Sequence, residues 1–428
     1  MCLCAFYGRQ HIHDYCQPYT LENWRSNIKL AAESGIDGFV LNVGKEDWQL
    51  DRVADCFAAC KFFGGQSPSR FKLMISFDMS SIPSSRSEHV DCLVEYLSSF
   101  GHHQSYYRIG GRCVVSTFAG EACLFGHAGL HAAWKHVLAS LNSVHPVCFI
   151  PSFFLSPDQI KEVELLDGYF NWNGCWPVHL SPDSPQEEIR VPSLNSDGHF
   201  IRHMRGRRYM ASVSPWFFTH YGEDSWNKNW IYRSDDWLYV RRWEQLVSLR
   251  NSIDIVQIIS WNDYGESHYI GPVDGAQPNS QAWVDGFDHT AWLKLTKFFA
   301  VAFKTGIYPA IDEERIFAWA RPHSKDAVAT RDYVPRPDNW QLTEDLFWVV
   351  IFAKAPSTVS LWSLDEFPRS FEINAGVSKL HCPLLDGGSM HVEMCRGASE
   401  VACLHTSDFT FTSRPEIYNF NAYVATSP

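Results

Sequence analysis

The feature that most constrains this chain is an alternation of short apolar segments with amphipathic ones, which continues to about residue 305. The apolar segments have the composition of strands that are buried on both faces. They lie at residues 3–7, 38–43, 72–77, 113–117, 147–152, 168–171, 209–213 and 255–261. Helix patterns lie at residues 20–35, 48–62, 87–100, 130–142, 237–249 and 290–304. Eight strands that mostly alternate with helices predict an α/β fold, a (β/α)8 TIM barrel.

The segment 20–35 illustrates the helix signal. Trp24, Ile28 and Ala31 fall on one face, Thr20 can cap the first turn, and Gly35 can end the helix. A doubly wound open sheet is the alternative architecture for such an alternation. No Gly-x-Gly-x-x-Gly follows the first strand, so the sequence gives no support to a dinucleotide-binding fold.

The pattern of predicted secondary structure changes after Gly306. Short strand patterns follow one another, separated by Pro, Gly, Asp and Ser, without a helix-length pattern between them. They lie at residues 315–320, 346–353, 358–364, 370–374, 379–383, 390–395, 401–405 and 419–425. This pattern predicts a β-sandwich. We therefore predict two domains, a catalytic barrel at 1–306 and an accessory β-sandwich at 307–428, with residues 322–338 as a long surface loop.

The net charge of the chain and the length of its apolar runs exclude some classes of binding partner. The 428 residues carry a formal net charge of −12, and the one basic cluster lies at residues 202–208. This balance argues against nucleic acid and anionic membrane surfaces. No apolar run approaches the roughly 20 residues that a membrane-spanning helix needs. A neutral polymer is compatible with this surface, and we expect a monomer that binds a polysaccharide.

The N-terminus and the cysteines predict a cytoplasmic location. The first seven residues lack the charged start and long apolar stretch of a secretory leader. Thirteen cysteines, an odd number at irregular spacing without Cys-x-x-Cys, indicate free buried thiols rather than disulfides. Secretion after removal of a leader is the alternative.

Residues 255–268 place chemically useful side chains at the end of the last predicted strand. A β-branched apolar run stops at Trp261 and Asn262, and the carboxylates Asp263 and Glu266 follow. In barrels of this kind the chemistry lies where strands end and loops begin. Two acids there are what acid/base hydrolysis of a glycoside requires. The alternative is a helix N-terminus with Asp263 as cap and Glu266 completing a capping box, and local spacing does not separate the two.

Amides, rings and a further carboxylate lie at or just after the ends of the predicted strands. Such groups suit a glycan cleft, because amides bond hydroxyls and flat rings pack against sugar faces. The third strand runs into Asp78, which could instead cap a turn. Trp172 could equally be roof packing, and His220 a satisfied semi-buried histidine. The candidate substrate-binding residues are Tyr7, Asn42, Asn171, Trp172, Asn173, Trp216, His220, Tyr221, Trp261, Asn262 and Tyr264.

The sequence gives little support to metal, serine or thiol catalysis. The pairs His127/His131 and His199/His203 have i, i+4 spacing, but neither encloses the Glu of a His-Glu-x-x-His motif. No Gly-x-Ser-x-Gly elbow follows a strand, and no base singles out one of the cysteines. We therefore predict no metal site and no cofactor.

Several of these segments together resemble glycoside hydrolase family 71, the fungal α-1,3-glucanases or mutanases. The matching segments are residues 24–43, 72–78, 167–172, 209–217 and 259–267, and the most specific is Trp-Asn-Asp-Tyr-Gly-Glu-Ser at 261–267. The resemblance implies a (β/α)8 barrel joined to a β-sandwich, and hydrolysis of α-1,3-glucan with inversion at the anomeric carbon. It also implies that Asp263 and Glu266 are the catalytic acids and that Asp78 is functionally important.

On this basis we predict an endo-acting hydrolase with Glu266 as general acid and Asp263 as general base. The reverse assignment stays open, and so does Asp78 as the base or as the group that holds the water. An inverting pair stands roughly 6.5–9.5 Å apart, against about 5–5.5 Å in retaining enzymes. Two other classes remain: a related barrel hydrolase that acts on another glycan such as α-mannan, and a non-catalytic glycan-binding protein.

Overall fold

The structure is a computed structural model that describes residues 1–7, 16–62, 71–204, 206–277, 279–364 and 368–428. Its strands are β1 (Cys2–Tyr7), β2 (Gly38–Val43), β3 (Lys72–Asp78), β4 (Arg108–Ile109), β5 (Arg112–Phe118), β6 (Val147–Phe149), β7 (Gly168–Asn171), β8 (Arg208–Val213), β9 (Phe218–Tyr221), β10 (Lys228–Ile231), β11 (Ile255–Ile258), β12 (Arg315–Ala320), β13 (Leu346–Ala353), β14 (Ser357–Trp362), β15 (Arg369–Ile373), β16 (Gly376–Pro383), β17 (His391–Arg396), β18 (Ser399–His405) and β19 (Tyr423–Thr426). Its α-helices are α1 (Leu21–Glu33), α2 (Trp48–Phe62), α3 (Val90–Phe100), α4 (Leu130–Val144), α5 (Pro157–Ile160), α6 (Gln186–Arg190), α7 (Ser196–His203), α8 (Leu238–Ser248), α9 (Gln281–Val284) and α10 (Ala291–Thr305).

A parallel sheet organises the first three quarters of the chain. Its strands follow the order β6–β5–β3–β2–β1–β11–β8–β7, and every neighbouring pair in this order is parallel. The short β4 pairs antiparallel with β5. Backbone hydrogen bonds also join the two ends of the order, from Asp167 to the Phe149 carbonyl at 3.0 Å and from Phe170 to the Pro151 carbonyl at 2.9 Å. All eight predicted parallel strands are therefore present in one sheet.

Helix α1 forms as its sequence predicts. The Thr20 hydroxyl accepts a hydrogen bond from the Asn23 backbone, and the Asn23 side chain accepts one from the Thr20 backbone, which completes a capping box. Trp24, Ile28 and Ala31 are buried. The helix therefore packs its apolar face against the sheet, as the helices of this fold class do. No helix among the described residues has the length and apolar character needed to cross a bilayer.

Two antiparallel sheets of four strands each follow, in the orders β16–β13–β12–β19 and β15–β14–β17–β18. Alternate residues of β13 serve two different cores. Phe347, Val349 and Ile351 belong to the core shared by the two sheets, whereas Trp348 and Val350 belong to the core of the parallel-sheet region. The side-chain period of two in a strand makes this possible. The first of the two sheets is therefore buried on both faces, and it joins the C-terminal region firmly to the rest of the molecule.

Polar contacts also cross this interface. Arg321 bonds Asp235, and Arg233 bonds both the Glu344 side chain at 2.5 Å and the Leu342 carbonyl at 2.6 Å. The segment 322–338, predicted as a surface loop, forms no helix or strand. Its last residue, Asp338, pairs through a single β-bridge with the strand β10. The segment therefore reaches from the C-terminal region to the part of the chain that precedes α8.

Candidate active site

A cleft of about 490 Å³ opens at the carboxyl ends of the parallel strands. This is the end of the sheet at which parallel α/β proteins place their active sites. Six of the predicted site residues line it: Asp78, Trp172, Asn173, Tyr221, Asp263 and Glu266. They come from the ends of β3 and β9 and from the segments that follow β7 and β11, so residues far apart in the sequence meet in one cavity.

Residues 260–268, which we call the acid turn, carry two of the three carboxylates. The Asp263 backbone donates to the Ser260 hydroxyl at 2.9 Å, and the Glu266 backbone donates to Asp263 Oδ1 at 3.1 Å. The second bond is one half of the capping box that the spacing allowed. No helix follows it among the described residues of this turn. The carboxylate of Asp263 therefore shapes the turn as well as lining the cleft.

A histidine that the sequence analysis missed lies between the two acids. His268 Nε2 is 3.1 Å from Glu266 Oε2 and 3.8 Å from Asp263 Oδ2, and its Nδ1 is 2.8 Å from the Ser260 hydroxyl. All of these side chains are buried, although Glu266 keeps 9% of its side chain exposed against 1% for Asp263. A ring proton on Nε2 is positioned to bond Glu266. His268 therefore fixes the orientation of the more accessible acid.

The other side of Glu266 faces a cation and a phenol ring. Lys228 Nζ is 3.5 Å from Glu266 Oε1. Tyr232 also lines the cleft, and burial together with the Glu266 charge raises the pKa of Tyr232. Glu266 therefore stands between the imidazole of His268 and the ammonium of Lys228.

Asp78 reaches the same cleft from the end of β3. Its Oδ1 accepts a hydrogen bond from the Ser80 backbone at 3.1 Å, and its backbone carbonyl accepts one from the Ser81 hydroxyl at 3.0 Å. The carboxylate therefore caps the turn after β3, as the alternative interpretation expected, and lines the cleft as well. Because β3 lies three places from β11 in the sheet order, Asp78 approaches the cleft from a different side than the acid turn.

Three of the predicted substrate-binding residues at the strand ends bond other parts of the protein. The Asn42 side chain accepts a hydrogen bond from the Ser76 hydroxyl at 2.9 Å. Asn171 donates to Asp197 at 3.2 Å. The indole of Trp216 donates to the Phe420 carbonyl at 2.9 Å. These side chains are buried and are not among the residues that line the cleft.

The same holds for residues next to the catalytic candidates. The Trp261 indole donates to Asn27 at 2.6 Å, and the Tyr264 hydroxyl donates to the Pro272 carbonyl at 2.9 Å. Asn262 is fully buried and donates to the sulfur of Cys16 at 3.2 Å. These residues hold the acid turn in place from behind.

His220 and Tyr7 complete the predicted set. His220 bonds Asp332 at 2.8 Å through Nε2 and Asn229 at 2.7 Å through Nδ1. It therefore anchors a hairpin and is not a cleft residue. Tyr7 lies in β1, but its side chain is outside the described part of the chain, as are the residues from 8 to 15.

The aromatic side of the cleft comes from a hairpin that the sequence analysis missed. Strands β9 and β10 pair antiparallel. The signal was present, since Gly222, Asp224 and Asn227 separate two short aromatic and β-branched segments, which is typical of a hairpin. The lining residues that were missed are Ser80, Phe118, Phe154, Trp176, Phe217, Trp226, Lys228, Trp230, Tyr232 and Gly265. The cleft is thus lined mainly by rings around three carboxylates.

The acid turn also contains the one group of side chains, within the described residues, whose donor atoms could reach a single ion. Atoms of Asp263, Glu266 and His268 lie within 4.8 Å of one another. The Lys228 ammonium already supplies a positive charge 3.5 Å from Glu266, and it would repel a metal ion there. A site without metal stays a prediction.

The family model described as glycosyl hydrolase family 71 matches residues 9–428, almost the whole chain. Three curated proteins are similar over most of their length. Glucan endo-1,3-alpha-glucosidase agn1 of Schizosaccharomyces pombe is 35% identical over 412 residues, which cover 95% of this chain and 91% of that protein. The ascus wall endo-1,3-alpha-glucanase of the same organism is 32% identical, with 84% and 81% covered. A mutanase of Penicillium rubens is 29% identical, with 96% and 86% covered.

Proposed function

Because the chain belongs to glycosyl hydrolase family 71, we propose that it hydrolyses α-1,3-glucosidic bonds within the α-1,3-glucan of fungal cell walls. The names of the similar proteins support this substrate and an endo mode of action. The observation that carries the proposal is a ring-lined cleft with three carboxylates at the carboxyl end of the parallel strands. Rings and carboxylates without a cluster of cations suit a neutral sugar polymer.

We propose Glu266 as the general acid. It is the more exposed carboxylate of the acid turn, so a glycosidic oxygen can reach it. His268 holds one of its oxygens and Lys228 approaches the other. Such contacts fix the direction in which the carboxyl presents its proton.

The general base in this proposal comes from Asp263 or from Asp78. One oxygen of Asp263 and one of Glu266 lie within 4.8 Å of each other, so these two acids stand side by side in the acid turn. The carboxyl groups of an inverting pair stand roughly 6.5–9.5 Å apart, which leaves room for a water molecule between them. Asp78 enters the cleft from another strand end, which favours it as the partner of Glu266 in an inverting reaction. Added azide distinguishes the two candidates in the variants Asp263→Ala and Asp78→Ala. It should restore turnover in the variant that lacks the base, and it should not do so in a variant that lacks a residue which only positions substrate.

The activity is tested by measuring reducing sugars released from α-1,3-glucan, with α-mannan as the competing substrate and Glu266→Gln as the inactive control. Release from α-1,3-glucan alone supports the proposal, and release from α-mannan alone overturns it. Proton NMR of the first-formed product decides the stereochemistry. A β-anomer supports inversion, whereas an α-anomer indicates retention.

We further propose that the parallel strands close into a (β/α)8 barrel at residues 1–306 and that residues 307–428 form a β-sandwich domain. The bonds that join Asp167 to Phe149 and Phe170 to Pro151 support closure. We also propose that the enzyme is a monomer. Light scattering during size-exclusion chromatography tests that proposal directly. Where the enzyme acts in or outside the cell stays a prediction.

A further inference from the structure

A second depression lies beside the catalytic cleft. It has a volume of about 550 Å³, against about 490 Å³ for the cleft. Phe154, Trp172, Asn173 and Trp176 line both cavities, so the two are neighbours that share a wall. The catalytic proposal uses only the first of them.

An exposed ring stands at the boundary between the two cavities. Phe154 is 41% exposed, so part of its apolar ring surface is open to water and is available for contact with a ligand. Its backbone donates to Glu121 at 3.1 Å, and its ring packs edge-on against Phe118 with 5.2 Å between centroids. Phe118 in turn packs against Trp172 at 4.7 Å. The ring is therefore held in place and presents apolar surface to whatever crosses the boundary.

The far wall of the second depression is polar and almost without charge. Its Glu188 lies 3.0 Å from His179, so the acid is already partnered. The Phe200 ring stacks on Tyr169 with 4.5 Å between centroids. Besides His179, the exposed polar residues of that wall are Ser193, Asn195, Ser196 and His199. Hydroxyls, amides and rings without a cation cluster suit a neutral polyhydroxyl ligand, and they do not suit a phosphate or an anionic polymer.

We propose that the second depression is a distal binding site for the same glucan chain that occupies the catalytic cleft. The chain would pass over Phe154, which packs against a sugar face. The identity of the sugar rests on the proposed function, whereas the existence of the site does not. A glucan that fills both cavities is bound through sugar residues away from its ends. Binding of this kind favours cleavage at internal bonds of the glucan.

The first test measures binding in the full-length Glu266→Gln variant, which prevents hydrolysis. Soluble α-1,3-linked gluco-oligosaccharides of increasing length are titrated by calorimetry. Two test variants are made in this Glu266→Gln background. The first carries Phe154→Ala, and the second carries Asn195→Ala together with His199→Ala. The matched control is Tyr308→Ala, since Tyr308 is 44% exposed and lines neither cavity.

We expect the longest oligosaccharides to lose roughly three- to tenfold in affinity in both test variants, which is the size of one ring contact. The shortest oligosaccharides should lose less, and the control should match its parent. Phe154→Tyr should restore binding, because it keeps the ring. Equal affinity of all variants for the longest oligosaccharide would overturn the distal site.

The second test measures kcat/KM in variants that keep Glu266. The ratio of kcat/KM for long over short oligosaccharides should fall about three- to tenfold in Phe154→Ala and stay unchanged in Tyr308→Ala. An unchanged ratio in Phe154→Ala contradicts the proposal. If the parent protein does not hydrolyse α-1,3-glucan at all, the proposed function fails, and the calorimetry still decides whether the distal site exists.

Discussion

The acid turn and the hairpin β9–β10 line the same cleft, but they are supported differently. The acid turn has hydrogen bonds within its own residues as well as to residues behind it, whereas the hairpin is also tied to a segment far along the chain. In the acid turn, the Ser260 backbone bonds the His268 carbonyl at 2.8 Å and the Asp263 backbone bonds the Ser260 hydroxyl at 2.9 Å. The hairpin depends instead on the segment 322–338. His220 bonds Asp332 at 2.8 Å, and the Asn229 side chain bonds the Pro335 carbonyl at 2.7 Å.

The difference matches the tasks of the two segments. Proton transfer depends steeply on distance, so the proposed catalytic carboxylates need neighbours that leave them little freedom. Rings that hold a sugar tolerate small displacements, because dispersion contacts are individually weak and summed over many atoms. We therefore expect changes in the acid turn to lower kcat and changes in the hairpin to raise KM.

The largest effect should come from Glu266→Gln, which removes the proposed proton donor. We expect kcat on α-1,3-glucan to fall by about 10³-fold or more, with the fold retained, since general acid catalysis contributes up to about 10⁴-fold. Glu223→Gln, an exposed acid in the hairpin turn, is the control and should keep full activity. Near-normal turnover of Glu266→Gln would exclude it as the acid.

The next effect should come from His268→Ala. Without the contact at 3.1 Å, Glu266 loses its fixed orientation, and we expect kcat to fall about 100-fold with a small change in KM. His268→Gln should recover part of the loss, because its amide can also donate a hydrogen bond. His405→Ala, on the exposed surface, serves as control. A change confined to KM would show that His268 binds substrate instead.

Asp332→Asn tests the support of the hairpin. The side chains of His220 and Asp332 are 2% and 6% exposed, and a buried polar group that loses its hydrogen-bond partner costs about 1–3 kcal/mol. We expect KM to rise about tenfold while kcat falls by less, because the rings lose their position. Asp326→Asn, exposed in the same segment, is the control. A larger fall in kcat than rise in KM would contradict the division of tasks.

The same pair has a pH signature. Burial opposes ionisation of Asp332, but hydrogen bonds from His220 and from the Tyr418 and Val334 backbones hold the pKa of Asp332 below its ordinary value. A lowered carboxyl pKa stabilises the fold above the unfolded pKa of about 4, and this stability is lost as the pH falls through the lowered value. In urea unfolding, the free-energy difference between the parent and Asp332→Asn should therefore shrink as the pH falls from about 5 to below about 4. A difference that grows in acid would contradict this account.

The smallest effect should come from Trp230→Ala in the hairpin. Its ring lines the cleft and stacks on Phe217 with 5.7 Å between centroids. We expect KM to rise about threefold in Trp230→Ala, because one ring contact contributes about 0.5–1.5 kcal/mol. The KM of Trp230→Phe should stay close to that of the parent, because this variant keeps a ring. A loss of kcat without a change in KM would place Trp230 among the groups that act on the bond.

The strands and the acid turn could be predicted from the sequence because their signals are local. Continuous apolar runs mark buried parallel strands, and acids after the last of them mark the catalytic edge. The direction of each strand-end side chain could not be predicted. Asn42 lies near the end of one predicted strand and Trp172 directly follows another, yet Asn42 bonds Ser76 inside the sheet and Trp172 lines the cleft. Successive side chains of a strand point to opposite faces, so a displacement of one residue reverses the outcome.

The contacts of the hairpin could not be predicted from the sequence for another reason. Its strands have four residues each, which is short for a period of two to be recognised. His220 resembled a cleft residue because it stands among rings after β8. Its partner Asp332 is 112 residues away, in a segment that reads as a surface loop. Neither residue alone carries a signal for the other.

The bond from Trp216 to the Phe420 carbonyl, across 204 residues, has a consequence for the order of events during synthesis. A chain grows from its N-terminus, and early domains can fold while later ones are still being made. Here the carboxylates of the acid turn emerge first, but the hydrogen-bond partner of the buried Trp216 lies almost at the end of the chain. The packing of this tryptophan is therefore completed only when translation is almost finished.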